Sequence, residues 1–184
     1  MPITDADIAL LAARVRQGDG AAFNELFHAL FPELFRFLYR YTRDRQSAED
    51  LVQEAFVRFW QARDRINTDL APKYYLYRIA RNLGLDHAEH QKQTRRESDL
   101  PESVLIRLSY DPAEGYERSL MADSVQKGLS LLPERCRAVF LLARYHDFTY
   151  QEIAVSLEIS LQTVKNQMNK ALSLLRKHLA EELE

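Results

Sequence analysis

Six polar side chains near the C-terminus are spaced so that one face of a helix could bind nucleic acid. They are Gln162, Thr163, Lys165, Asn166, Asn169 and Lys170. Amide, hydroxyl and ammonium groups donate hydrogen bonds to base edges and phosphates when such a helix enters the major groove of DNA. The pattern predicts a DNA-binding helix. Polar outer faces are also common on helical hairpins, so an ordinary three-helix core is the alternative interpretation.

Local capping signals predict the two helices that would present this face. Thr149 and Glu152 have the spacing of a capping box, in which a hydroxyl and a carboxylate satisfy free amides at a helix start. Ser160 can cap the helix that follows. Apolar residues recur at helical spacing on the inner side, namely Ile153, Ala154, Leu157, Leu161, Val164, Met168, Ala171, Leu172 and Leu175. Together these signals predict a helix-turn-helix.

The turn between these two helices departs from the usual pattern. Helix-turn-helix proteins often have Gly where this chain has Glu158. A residue other than glycine in the left-handed conformation costs about 1–2 kcal/mol. We therefore expect this turn to differ in shape.

The sequence contains none of the motifs that would predict catalysis. It has no HExxH zinc signature, no glycine-rich phosphate loop, no paired carboxylates that converge with a histidine, and no nucleophile with a nearby base. Cys136 is the single cysteine and predicts a small core residue. His87 and His90 have a spacing seen in metal sites but lack further ligands, so we interpret them as polar surface. We expect no enzyme activity, no cofactor and no metal.

Composition favours a helical protein of the cytoplasm. The chain has 184 residues, of which 46% are hydrophobic, and it contains only 5 Gly and 6 Pro. It has no apolar run of about 18 residues and no apolar N-terminal signal, which predicts no membrane insertion. The net charge of −2 gives no general attraction to nucleic acid. Any such binding must use local basic stretches, which occur at 71–96 and 160–180.

Helical periodicity predicts an all-α chain with two small domains. It places early helices at roughly 5–17, 21–31, 33–43, 47–64 and 72–96, with Pro32 at a helix start and Ser47 as a cap. The pattern lapses between about 97 and 115, then resumes at about 116–131 and, after a break at Pro133, at about 135–145. We therefore predict a domain over 1–97, a flexible linker over 98–115 and a helix-turn-helix domain over 116–184.

Several short motifs occur in a specific order and spacing. They are SAEDLVQEAFVRFW at 47–60, YLYRIARN at 75–82, Asp86, LP at 132–133, Arg137, EIA at 152–154, Leu157, IS at 159–160 and TVK at 163–165. With these motifs the chain resembles the extracytoplasmic-function (ECF, group IV) sigma factors of RNA polymerase, over about 23–179. The resemblance implies an all-helical fold with a region-two bundle and a region-four helix-turn-helix.

The resemblance also implies three binding surfaces. Docking on core RNA polymerase would involve Asp50, Gln53, Glu54 and Trp60. The minus-ten promoter element would be bound by Asn67, Thr68, Asp69, Tyr75, Arg78, Arg81 and Asn82. The minus-thirty-five element would be bound by Arg137, Ser160, Gln162, Thr163, Lys165, Asn166, Asn169 and Lys170.

The side chains are chemically suited to these implied roles. Asp50, Gln53 and Glu54 share one polar helix face because they stand at i, i+3 and i+4. Tyrosines at positions 74, 75 and 77 can stack on unpaired bases. We expect at least one of the three tyrosines to lie in the core instead.

The family resemblance implies a protein that directs core polymerase to promoter DNA and catalyses nothing by itself. Its implied partners are core RNA polymerase, promoter DNA and an anti-sigma factor. The alternative function is a helix-turn-helix transcriptional regulator that is not a sigma subunit, which would not need the docking helix from Asp50 to Trp60. A helical enzyme and a structural adaptor without DNA binding are further alternatives.

Overall fold

The computed structural model describes residues 3–66, 72–97 and 127–182. Every regular element in these residues is helical. They belong to two compact units, one within 1–93 and the other within 94–184. The all-α, two-unit architecture expected from the periodicity is therefore confirmed for the described residues.

The first unit is a helical bundle built around one long helix. Its elements are α1 (Asp5–Arg16), α2 (Gly20–Thr42), α3 (Arg45–Gln61), a 3-10 turn (Arg63–Arg65) and α4 (Pro72–Glu97). The α2 helix packs against both α1 and α3. Fully buried side chains at its core include Leu26, Leu34, Phe37, Phe56, Phe59 and Tyr77. Burial of these large apolar groups supplies the main driving force for folding the unit.

One continuous helix replaces the two that we predicted over 21–31 and 33–43. Pro32 lies inside α2, so its expected position at a helix start is wrong. Proline lacks an amide hydrogen, and an interior proline costs a helix about 3 kcal/mol or more. Leu30 and Leu34 on either side are both buried, and their packing outweighs this local cost. Pro32 itself is exposed, so its ring meets solvent.

The α3 helix begins earlier than the sequence suggested, and Ser47 is not its cap. Asp44 occupies the cap position, where its Oδ2 accepts a hydrogen bond from the Ser47 amide at 2.7 Å. Hydrogen bonds from Ser47 hold the pKa of Asp44 below its usual value. A carboxylate is a better cap here than the Ser47 hydroxyl, because its negative charge also interacts favourably with the positive N-terminal end of the helix dipole.

The second unit is smaller and contains the helix-turn-helix. A helical segment at 127–131 precedes α5 (Glu134–Tyr145), α6 (Tyr150–Leu157) and α7 (Leu161–Glu182). The helical pattern breaks at Pro133, as predicted. Cys136 is buried, as expected of a small core residue, and burial raises the pKa of its thiol. The linker predicted at 98–115 lies outside the described residues.

Candidate functional site

The outer face of α3 carries the three polar residues of the predicted docking surface. Asp50 and Gln53 are exposed and Glu54 is half-buried. Two hydrogen bonds along the helix orient the carboxylates: Gln46 Nε2 donates to Asp50 at 2.9 Å, and Arg58 Nε donates to Glu54 at 2.7 Å. The core-facing side of the same helix buries Val52, Phe56 and Phe59. The helix therefore presents an ordered polar stripe away from its core.

Trp60 differs from those three residues because its indole packs within the unit. Its ring centroid lies 5.0 Å from that of Phe23 on α2, in an edge-to-face arrangement. The guanidinium of Arg63 lies 4.8 Å from the indole centroid, and Arg63 Nη1 donates to the Trp60 carbonyl at 3.0 Å. Trp60 thus joins α2 to the end of α3, and its predicted contact with a partner stays a prediction.

The first turns of α4 carry an aromatic and basic cluster. Arg78 Cζ lies 4.7 Å from the centroid of the Tyr75 ring, and both residues are half-buried. The Phe59 centroid lies 6.1 Å from that of Tyr75. One turn further on, Arg81 Nη1 donates to Asn82 Oδ1 at 2.9 Å, and Asn82 is exposed. The structure therefore brings together four of the residues predicted to bind the minus-ten element.

Tyr77 is the tyrosine that belongs to the core. Its side chain is buried, and its ring centroid lies 5.4 Å from that of Phe37 in an edge-to-face contact. Burial, with the nearby Glu33 carboxylate, raises the pKa of the Tyr77 hydroxyl far above its usual value. The expectation that at least one of the three tyrosines is buried is confirmed. Asn67, Thr68 and Asp69 lie outside the described residues.

The α7 helix separates an apolar inner face from a polar outer one, as its pattern predicted. Val164, Met168 and Ala171 are buried. The exposed side chains on the opposite side are Gln162, Lys165, Asn166, Asn169 and Lys170. Ser160 Oγ accepts a hydrogen bond from the Thr163 amide at 3.0 Å, so Ser160 caps the helix as predicted. Gln162 Nε2 donates to Asn166 Oδ1 at 2.9 Å, which pre-orders part of the outer face.

Helix α6 begins with the predicted capping box and ends at a left-handed residue. Glu152 accepts from the Thr149 amide at 2.6 Å and donates its own amide to Thr149 Oγ1 at 3.3 Å. Glu158 takes the left-handed conformation, with φ 53° and ψ 44°. The Ile159 amide then reaches the Ala154 carbonyl at 3.0 Å, which closes the turn. Glu158 therefore adopts the left-handed geometry that glycine usually provides, so the expectation of a differently shaped turn is wrong and the helix-turn-helix is formed.

Comparison with known proteins identifies the family. A family model for sigma-70 region 2 matches residues 26–94, and one for sigma-70 region 4 matches residues 122–175. The ECF RNA polymerase sigma factor SigL of Mycobacterium tuberculosis is 32% identical over 177 residues, which cover 92% of this chain and 97% of SigL. The chain belongs to the ECF RNA polymerase sigma factors. It therefore directs transcription initiation by RNA polymerase, and its family is non-enzymatic.

A further relative is similar in sequence, and two solved structures are similar in fold. The RNA polymerase sigma-H factor of Pseudomonas aeruginosa is 27% identical over 169 residues, or 88% of each chain. CnrH, solved in complex with the cytosolic domain of CnrY, shares the fold with a TM-score of 0.73 at 21% identity, covering 95% of this chain and 98% of CnrH. RpoE of Bartonella quintana, solved with the anti-sigma factor NepR, has a TM-score of 0.67 at 24% identity, covering 86% and 96%.

Arg137 of this sigma factor has a clear structural role. Its Nε donates to the Leu129 carbonyl at 2.9 Å, and its Nη2 donates to the carbonyls of Ser130 and Leu132 at 3.0 and 3.3 Å. The guanidinium thereby satisfies carbonyls at the end of the 127–131 segment. Its predicted contact with the minus-thirty-five element stays a prediction.

Val57 is a surface residue of the sigma factor that sequence reasoning missed. Its side chain is 48% exposed, four residues after Gln53 on the polar stripe of α3. The sequence could have indicated this exposure, because helical spacing places Val57 on a different face of α3 from the buried residues Val52, Phe56 and Phe59. Val57 therefore adds apolar area to the otherwise polar outer face of α3.

The described residues show no metal site and no membrane-spanning helix. Among them, no three His, Cys, Asp or Glu side chains are grouped so that they could hold a metal ion. No helix in the same parts of the sigma factor is long and apolar enough to cross a bilayer. His87, one of the histidine pair, is half-buried, and burial lowers its pKa while the nearby Asp44 opposes that shift.

Proposed function

We propose that this sigma factor initiates transcription through three separate surfaces. The polar stripe of α3 docks on core polymerase, the start of α4 binds and opens the minus-ten element, and the outer face of α7 binds the minus-thirty-five element. The observation that carries this assignment is the Tyr75–Arg78 cluster in one unit together with the exposed polar face of α7 in the other. Each face has the chemistry of its proposed DNA target.

The α3 stripe suits docking because its groups are exposed and already oriented. Asp50 and Glu54 are held by neighbours on the same helix, so little side-chain entropy remains to be lost on binding. Gln53 adds an amide that can donate and accept. Val57 provides apolar area within the stripe. We propose that Asp50, Gln53, Glu54 and Val57 form the contact, with Trp60 supporting the end of the helix.

The start of α4 suits single-stranded DNA. An aromatic face offers about 1–3 kcal/mol per stacked base, and the guanidinium of Arg78 can bind the phosphate beside it. Arg81 and Asn82 extend the polar contact by one turn. We propose that a base extruded from the minus-ten element is bound by Asn67, Thr68 and Asp69, since their amide, hydroxyl and carboxylate groups can read its edge.

The α7 helix suits duplex DNA. Its exposed amides at 162, 166 and 169 can donate to and accept from base edges in the major groove, while Lys165 and Lys170 bind phosphates or guanine. Ser160 and Thr163 at the helix start can bind the DNA backbone. We assign the minus-thirty-five contact to this face.

Two linked contacts give the promoter specificity that one alone lacks. We propose a region-two domain over 1–97, a linker over 98–115 and a region-four domain over 116–184. Tethering makes the second contact effectively intramolecular and raises overall avidity by roughly 10²–10⁴. Both promoter elements must then lie at a compatible distance.

We also infer an anti-sigma partner and a cytoplasmic location. The similar structures of CnrH and RpoE were solved with CnrY and with the anti-sigma factor NepR. A comparable inhibitor would cover the surfaces described above until a signal releases it. The protein works where core polymerase and the chromosome are, and we propose that it needs no cofactor.

Run-off transcription with purified core polymerase tests the function directly. Core enzyme with this protein should start at defined promoters, whereas core enzyme alone should not. A DNA-binding regulator that is not a sigma subunit would bind promoters yet fail to give core polymerase a start site. That result would replace the proposal with the regulator.

A further inference from the structure

Helix α1 contacts the chain on both sides of residues 67–71. It packs on α2 and touches the 3-10 turn Arg63–Arg65 on the near side. On the far side, Asp5 Oδ1 in its first turn accepts a hydrogen bond from Lys73 Nζ at 2.6 Å. The two residues are 68 positions apart in sequence. The N-terminal helix is thereby tied to the beginning of α4.

The backbone that carries Asp5 is ordered by a capping box at the start of α1. Thr4 and Asp7 form a complete capping box, with the Thr4 amide donating to Asp7 at 2.9 Å and the Asp7 amide donating to Thr4 Oγ1 at 3.2 Å. The side chain of Lys73 is only 19% exposed, against 60% for Asp5. An ion pair with such an exposed partner adds about 0–1 kcal/mol to stability. Its main consequence is therefore geometric.

Lys73 connects the Asp5–Lys73 ion pair to the proposed minus-ten face. It is the second residue of α4, and its ammonium lies 5.8 Å from the centroid of the Tyr74 ring. The next residue, Tyr75, packs near Phe59 and carries Arg78 over its ring. Side-chain contacts thus join Asp5, Lys73 and Tyr74, and the backbone of the same helix turn carries Tyr75, which we assign to base stacking.

We propose that Asp5 and Lys73 are positioning residues for promoter opening, which makes α1 part of the opening apparatus. The pair holds the first turn of α4 so that Tyr75 meets an unstacked base without prior rearrangement, and this rests on the function proposed for α4. A rival role is electrostatic masking, in which Asp5 neutralises a lysine that would otherwise bind phosphate. Masking predicts the opposite effect of removing Asp5, because DNA would then bind more tightly and the promoter would open faster.

The test compares promoter opening on duplex and pre-melted templates. Full-length protein with core polymerase is mixed with promoter DNA that carries a fluorescent base in the minus-ten element. Asp5→Asn should slow opening of the duplex by roughly two- to fivefold, the most that an ion pair of about 1 kcal/mol can contribute. It should leave core capture, thermal midpoint and binding to a pre-melted promoter unchanged. Glu25→Gln is the matched control, because Glu25 is equally exposed at 60% and pairs with Arg14 of α1 at 3.9 Å.

Charge reversal distinguishes the pair from direct DNA contact by Lys73. The Lys73→Asp variant should open the duplex promoter slowly. Adding Asp5→Lys should restore at least half of the opening rate that was lost. If Asp5→Asn opens as fast as the wild type or faster, or if the swap restores nothing, positioning is overturned. Tyr75→Ala serves as the reference variant. If Tyr75→Ala also opens the promoter at the normal rate, the function proposed for α4 has failed. If Tyr75→Ala opens it slowly while Asp5→Asn opens it at the normal rate, only the positioning role has failed.

Discussion

Arg78 lies over the ring of Tyr75, with its Cζ atom 4.7 Å from the ring centroid. Both side chains are assigned to the melted minus-ten strand, so in the protein alone each occupies a surface that DNA would use. A base that stacks on Tyr75 must share or replace the guanidinium, which can then move to the adjacent phosphate. The contact keeps both groups together at the start of α4, the surface that we propose binds DNA.

The first prediction is that Tyr75 and Arg78 act as a coupled pair. Tyr75→Ala should weaken binding of a single-stranded minus-ten oligonucleotide to the holoenzyme by about 1–3 kcal/mol, since a stacking surface is lost. Arg78→Ala should weaken it as well, and the double variant should lose less than the sum because the two residues interact. Fluorescence anisotropy measures all four proteins. Tyr75→Phe is the control and should bind almost normally, whereas strict additivity would contradict the coupling.

The second prediction concerns docking on polymerase. Asp50→Ala combined with Gln53→Ala should leave the helical circular dichroism unchanged, because both residues are exposed on α3. Capture of core polymerase should weaken about ten- to thirtyfold, as expected for two lost hydrogen bonds at about 1 kcal/mol each. The control exchanges two exposed polar residues of α2, Asn24 and Glu25, for Ala. Equal capture by both double variants would remove α3 as the docking surface.

The third prediction addresses the minus-thirty-five contact. Lys165→Glu reverses a charge on the exposed face of α7 and should weaken binding to this element by about 1–3 kcal/mol. Capture of core polymerase should survive. Arg176→Glu makes the same reversal on the same helix about three turns later and should have a small effect. A normal footprint over the upstream element with Lys165→Glu would show that α7 does not bind it.

The fourth prediction follows from the left-handed turn before α7. Glu158→Gly should stabilise the second unit by up to about 1 kcal/mol, because glycine adopts a positive φ without a steric penalty. Hydrogen exchange at the amides of α6 and α7 measures the change. Asp147 also has a positive φ of 55°, but aspartate tolerates this conformation better. Asp147→Gly should therefore stabilise the second unit less than Glu158→Gly does. If Glu158→Gly destabilises the unit, the backbone at Glu158 is not strained.

The fifth prediction is that acid weakens the first unit near the start of α3. Burial depresses the pKa of His87, so the unfolded chain binds this proton more tightly than the folded protein does. Stability should then fall as the pH drops through 6.5, the usual pKa of histidine. Asp44, with its lowered pKa, should add a second loss as the pH falls below its usual value of 3.8.

The measurement for this prediction is the thermal midpoint at a series of pH values. His87→Gln should flatten the decline between about pH 7.5 and 5.5, while the decline below about pH 4 should remain. His28→Gln replaces an exposed histidine of α2 and is the control. If the thermal midpoint of His87→Gln falls with pH as it does in the wild type, another group is responsible for the titration.

The sequence alone was sufficient for most features that depend on near neighbours in the chain, although Asp44 and not the predicted Ser47 caps α3. The Thr149–Glu152 capping box and the Ser160 cap were predicted correctly because each joins residues three apart. The apolar face of α7 was likewise evident, since helical spacing determines which side chains share a side. Family membership could be inferred for a related reason, because order and spacing of short motifs are properties of the chain itself.

Features that depend on packing between distant segments were decided by the tertiary structure. Three tyrosines lie within four positions, and only the contact with Phe37 of α2 shows that Tyr77 is the buried one. Pro32 is a local signal for a helix boundary, but burial of the leucines beside it keeps α2 continuous. The Asp5–Lys73 contact joins residues 68 positions apart, and no local pattern encodes it. Hydrogen bonds within a helical turn follow from spacing, whereas burial and long-range ion pairs require knowledge of which helices meet.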